Sequence, residues 1–126
     1  MKQSTKPTES ELEILQILWK NGAATVRQVN HELSRQKEVG YTTTLQLMQI
    51  MHEKNFVTRT EEGRYHIYRA TLEEENTQKL LLDRFIDTTF RGSASRMVMQ
   101  ALGNQSVTKD ELDEIKAWIK TLENDK

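Results

Sequence analysis

The chain has no cysteine, a single proline and no long apolar run. Zero cysteine removes disulfides, thiolate metal sites and thiol chemistry together. No apolar stretch approaches the roughly 20 residues that a membrane helix needs, and the N-terminal MKQSTKPTES has no apolar signal core. A cytoplasmic protein without a membrane partner is therefore expected. Equally missing are a nucleophile–base constellation, a glycine-rich phosphate loop and a cluster of metal ligands. His52 and His66 are lone imidazoles with no neighbouring carboxylate or histidine at ligand spacing. No cofactor and no metal are expected. At 126 residues the chain is one compact domain or two small ones, a length that argues against a large enzyme cleft and for a binding module.

Charge is plentiful but nearly balanced, with a net of −1 that hides an asymmetry. Residues 1–70 hold ten Lys/Arg against eight Asp/Glu, together with all three histidines, whereas residues 71–126 hold eight against eleven. The N-terminal part is the one candidate for contact with a polyanion, and it is only mildly basic.

Helical periodicity and capping signals divide the N-terminal part. Pro7-Thr8 starts a first helix, where Thr8 and Glu11 form a capping box ahead of Leu12, Ile14, Leu15, Leu18 and Trp19 at core spacing. Asn21-Gly22 ends it. Thr25 and Gln28 make a second box, opening a short helix through Val26, Val29 and Leu33 whose polar side carries Arg27, Gln28 and His31. After a polar turn over Ser34 to Gly40, the stretch GYTTTLQLMQIMHEKNFV opens with hydroxyl side chains able to cap a helix and runs about three turns to Lys54-Asn55. Thr44, Leu47, Met48 and Met51 fall on its core side. Thr42, Thr43, Gln46 and Gln49 cluster on the other, where glutamine amides can bond an adenine edge and threonine offers a hydroxyl and a methyl. For an isolated helix this polar face is no more than a solvated surface.

Context changes that weighting. Phe56 to Thr60 reads as a strand, Glu61 to Arg64 as a glycine-containing turn and Tyr65 to Arg69 as a returning strand. Alternation places Tyr65, Ile67 and Arg69 on one face and His66 and Tyr68 on the other. Helix, turn, helix and hairpin in this order describe a winged helix-turn-helix, in which the second helix enters the major groove. Thr42, Thr43, Gln46 and Gln49 are then the expected base readers. Thr25 at a helix N-terminus, Arg27, Lys54, Arg59 and Arg64 are the expected phosphate and wing contacts.

Residues 71–126 read as three more helices. Thr71 and Glu74 suggest a capping box for a long helix from about Leu72 to Phe90, Arg91-Gly92-Ser93 breaks it, and Ser93 caps a short helix. Gly103 to Val107 is a loop, and Thr108 with Glu111 opens a last helix whose DELDE run supplies a negative first turn. Three helices in so few residues enclose little apolar area by themselves. A second copy would complete the core, with Leu81, Phe85, Phe90, Met97, Val98, Leu112, Ile115, Trp118 and Ile119 in the dimer interface. The expected fold class is mainly α with a small β-hairpin wing: a winged helix-turn-helix over 1–70 followed by a three-helix dimerisation domain over 71–126. A second reading, a winged-helix protein–protein docking module, would use Leu45 and Ile50 as an exposed apolar patch.

The ordered set of ELEILQILW at Glu11 to Trp19, TVRQV at Thr25 to Val29, Tyr41-Thr42-Thr43 with Met48, Met51 and Lys54, Gly63-Arg64-Tyr65, Phe90-Arg91-Gly92-Ser93 and Asp110-Glu111-Leu112 resembles the BlaI/MecI family of penicillinase and methicillin-resistance repressors from end to end. The resemblance implies a homodimer that binds a pseudo-palindromic DNA operator and blocks transcription, often of resistance genes. It also implies, in relatives that respond to β-lactams, an upstream membrane sensor-protease pathway that leads to cleavage of an Asn-Phe bond. The matching pair here is Gln100-Ala101, so the relatives' scissile bond is absent and induction by that route is not supported. The family's copper-responsive branch ends in a Cys-x-Cys cluster and is excluded on ligand chemistry. Many relatives carry a basic residue near Ile50, and some at Leu45, where this chain is apolar. Two operator chemistries follow: an A·T-rich site read through glutamine and methyl contacts, or affinity leaning on Arg27, Lys54, Arg59 and Arg64 at phosphates.

Overall fold

The computed structural model describes residues 6–104 and 107–125. The chain divides into two compact units, Met1–Leu81 and Leu82–Lys126.

Local chemistry sets the first unit's helices. In α1 (Glu9–Asn21) the Thr8 amide donates to Glu11 Oε1 at 2.9 Å and the Glu11 amide to Thr8 Oγ1 at 3.2 Å, closing the expected box. Gly22 ends the helix at φ +86°, its amide donating to the Leu18 carbonyl. In α2 (Val26–Ser34) Thr25 and Gln28 repeat the box. In α3 (Tyr41–Glu53) the start differs from expectation, because Gly40 holds the cap position and no side chain caps the helix. Thr42 and Thr43 lie inside the first turn, so their hydroxyls are not used on the helix's own amides.

Ile14, Leu15, Leu18, Val26, Val29, Leu33, Met48 and Met51 interlock as the core of the three helices, each worth about 1.5–3 kcal/mol when fully buried. The hairpin closes this core from one side. Strand β1 (Val57–Glu62) pairs antiparallel with β2 (Tyr65–Ala70), Val57 opposite Ala70 and Glu62 opposite Tyr65. The turn is therefore Gly63-Arg64 alone, shorter than the four residues expected. Gly63 takes φ +62° and Arg64 a negative φ, the signature of a two-residue hairpin turn with glycine at its first position. The faces alternate as expected, and the buried one is that of Tyr68, which exchanges backbone hydrogen bonds with Ala24 in the α1–α2 loop at 2.8 and 3.0 Å.

Helix α4 (Glu74–Phe90) crosses the boundary between the units. The Thr71–Glu74 capping box does not form, because the helix starts at Glu74 and the Thr71 amide donates to the Phe56 carbonyl at 2.8 Å. Leu72 packs against the first unit's core and Thr77 is buried. The division consequently falls inside α4, whereas the border expected from the sequence stands at the end of β2.

In the second unit, α4 ends at Arg91 (φ +52°) and Gly92 (φ +84°). Ser93 caps α5 (Ala94–Gly103), and a Thr108–Glu111 box opens α6 (Lys109–Asn124). Phe85 and Phe90 meet edge to face at 5.6 Å. No residue of α5 or α6 is buried.

Candidate nucleic-acid interface

Burial orients α3. Thr44, Met48 and Met51 are sealed against α1 and α2, and Leu47 is half-buried beside them. Thr42, Thr43, Gln46 and Gln49 are all exposed, so the structure brings the four expected base readers together on one outward face. These four carry amides and hydroxyls and no charge, and Glu53, four residues after Gln49, places a carboxylate at the C-terminal end of the same side. The position of this face on α2 is fixed by a bond that sequence reasoning missed: Asn30 Nδ2 donates to the Val39 carbonyl at 2.9 Å and to Thr44 Oγ1 at 3.0 Å. Asparagine is a poor interior helix residue, and its place in the middle of α2 was the available signal.

The expected phosphate contacts fare unequally. Arg27 is exposed on the first turn of α2 and Arg64 is exposed at the tip of the hairpin. Thr25 gives its hydroxyl oxygen to the Gln28 amide, which leaves the amides of Val26 and Arg27 without an intrahelical partner and open to an outside anion. Uncapped α3 presents its own first-turn amides in the same way.

Lys54 is occupied. Its Nζ sits 2.8 Å from Glu11 Oε2, with side-chain exposure of 25% for the lysine and 3% for the glutamate, and 5.5 Å from the centre of the Phe56 ring. Glu11 thus serves two elements, accepting from Thr8 with one oxygen and binding Lys54 with the other. The pair ties the start of α1 to the end of α3. Arg59 stands opposite Tyr68 in the hairpin and its Nη1 donates to the Tyr68 hydroxyl at 3.4 Å. Two of the four cations expected at phosphates therefore have protein partners.

The two apolar residues of α3 that could have formed a docking patch separate. Leu45 packs against the core cluster, and Ile50 stays 43% exposed. Tyr41, at the start of α3, is half exposed and was missed as a member of this surface.

On the second unit, the residues expected in a dimer interface lie at or near the surface. Phe85, Val98, Trp118 and Ile119 are exposed, while Phe90, Met97, Leu112 and Ile115 are half-buried. Leu81 is half-buried at the end of the first unit. Leu82, Met99 and Leu122 add to the exposed apolar surface, and Met99 is 70% exposed. The Gln100-Ala101 pair lies exposed on α5. Among the described residues there is no group of acidic, histidine or cysteine side chains able to hold a metal, and no helix long and apolar enough to cross a membrane.

Known proteins match this arrangement. The penicillinase repressor of Bacillus licheniformis is 23% identical over 91% of this chain and 90% of its own length. The transcriptional regulator BlaI of Mycobacterium tuberculosis is 26% identical over 98% of this chain and 89% of its own. The solution structure of monomeric B. licheniformis BlaI in complex with the blaP half-operator superposes with a TM-score of 0.51 at 24% identity, covering 60% of this chain and 93% of that one, and so shares the winged-helix fold. The sequence model of the penicillinase repressor family matches residues 7–121, from before α1 into α6. That span covers most of both compact units, and the chain therefore belongs to the penicillinase repressor family, whose members are transcriptional repressors and not enzymes.

Proposed function

We propose that the protein is a cytoplasmic transcriptional repressor that binds a pseudo-palindromic double-stranded DNA operator as a homodimer. The observation that carries this reading is the outward face of α3. Four uncharged hydrogen-bonding side chains are held on a helix whose opposite side is locked into the core, next to a hairpin wing with an arginine at its tip. Helix N-termini and Arg27 and Arg64 supply the salt-dependent phosphate term, and the Thr/Gln face supplies discrimination of about 1–3 kcal/mol per well-placed bidentate pair. The BlaI structure in complex with the blaP half-operator supports operator DNA as the partner of this fold.

Dimerisation is supported by the absence of any buried residue in α5 and α6, together with the exposed Leu82, Phe85, Val98, Trp118, Ile119 and Leu122. A small helical unit with its apolar side chains in water gains a core by pairing with a copy of itself. Linking two reading domains makes the second half-site contact intramolecular, so affinity rises without any change in α3. An upstream sensor acting on this pairing would relieve repression. It would not act through the relatives' scissile bond, which Gln100-Ala101 replaces.

The test is a binding titration of the full chain against its own upstream intergenic DNA and a scrambled duplex, at two salt concentrations. A specific regulator keeps a preference ratio as salt rises. Equal, weak binding to both that disappears with salt would refute the proposal.

A further inference from the structure

We propose that Ile50 reads thymine methyl groups, and that the half-site under α3 is therefore A·T-rich with guanine selected against. The inference deepens the operator-binding function above and rests on it.

Guanine is read in the major groove chiefly by arginine or lysine, bidentate to O6 and N7. Helix α3, Tyr41–Glu53, contains neither. The next residue, Lys54, is a cation at the right end of the helix, but its ammonium is held by the buried Glu11 carboxylate at 2.8 Å. The wing's Arg59 is drawn to Tyr68. From Thr42 to Ile50 the exposed side of the helix is left with amide and hydroxyl groups, whose bidentate partner is adenine, and one large apolar side chain.

That side chain is Ile50. It follows Gln46 by one helical turn and adjoins Gln49, so it shares their outward face. Scattered exposed apolar residues are common and need no explanation. Ile50 differs in standing one turn beyond the adenine-competent amide of Gln46, on the side of α3 that the fold turns outward. The other apolar residue of the pair, Leu45, packs against the core, whereas Ile50 stays exposed on the side of Gln46. The exposed apolar group of the major-groove edge is the thymine C5-methyl. A contact between it and Ile50 removes both from water, while a cytosine at that position offers an amine and a guanine offers acceptors that Ile50 cannot satisfy.

The test begins with selection of duplexes carrying a randomised central stretch on the full-length protein, followed by affinity measurements on the enriched site. Deoxyuridine then replaces each thymidine in turn, which deletes one methyl and nothing else. Loss of one buried methyl is expected to weaken binding roughly fourfold, and roughly fifteenfold when the symmetry-related thymidines of both half-sites are replaced. Ile50→Ala should abolish that sensitivity, and Ile50→Arg should move the selected base at the same position to guanine. Guanine enriched under α3 by the unaltered protein, indifference to every deoxyuridine, or an Ile50→Arg variant that binds all sequences more tightly with the same preference would each overturn the inference. Selection that enriches no site at all would instead remove the operator-binding function, and this reading with it.

Discussion

Replacing Lys54 separates a cation that supports the fold from one that touches DNA. Lys54→Met keeps the aliphatic stem along Phe56 and removes the ammonium, leaving the Glu11 carboxylate with the Thr8 amide as its remaining partner. Breaking one side of a fully buried ion pair costs about 3–5 kcal/mol. Here a quarter of the lysine side chain remains exposed, so solvent screens the pair and the expected loss falls to about 2 kcal/mol. Loss of the cation–π contact is included in that figure. For a first unit of this size the midpoint of thermal unfolding should drop by roughly 10 °C. Because Lys54 makes no phosphate contact in this account, the slope of log affinity against log salt should be unchanged. Arg64→Gln should behave in the opposite way, with stability within about 0.5 kcal/mol and a slope reduced by about 2 for a dimer that loses one phosphate contact in each half. Pairing Lys54→Met with Glu11→Gln should recover part of the stability, since the second change removes the stranded charge while glutamine still accepts from Thr8. A fully stable Lys54→Met protein with a salt slope lowered by about 2 would refute the reasoning and return Lys54 to the phosphate contacts.

Other perturbations test other joints. Gln46→Ala should flatten discrimination among operator variants by about 1–3 kcal/mol at one position while leaving the salt slope intact; an unchanged preference profile would remove Gln46 from the base readers. A chain ending at Leu81, which keeps the packed Leu72 and the buried Thr77, should sediment as a folded monomer with weak operator affinity, and a dimeric fragment would overturn the assignment of pairing to the second unit. Trp19→Phe removes the 2.8 Å bond from the indole Nε1 to the Leu72 carbonyl but keeps an aromatic ring. It should cost about 1 kcal/mol by urea unfolding, and no change would show the bond to be dispensable.

Much of the fold was legible because its signals are local. A capping box joins residues three apart, a helix face repeats every three or four, and a glycine at positive φ acts at its own position. Thr8–Glu11, Thr25–Gln28 and Thr108–Glu111 all formed as read, and α3 turned the expected side to the core. Local signals also misled where a distant partner competed. Thr71 has the spacing of a cap, yet its amide goes to Phe56 and the helix starts later. Gly40 took the cap of α3, which released Thr42 and Thr43 for outside contacts.

By itself the sequence determined the six helices, the hairpin, the four uncharged side chains on the outward face of α3 and, through its ordered motifs, the family. It could not determine which cations are free. Lys54 and Glu11 stand 43 residues apart, and Trp19 and Leu72 stand 53 apart. No periodicity encodes such pairings, because they depend on where whole helices come to rest. The tertiary structure alone placed Lys54 against a buried carboxylate, Leu45 half-buried against the core and Ile50 in the open. The physical reason is that burial and charge pairing are properties of neighbours in space, and a hydrophobic or basic residue acquires its role only when packing has decided what those neighbours are.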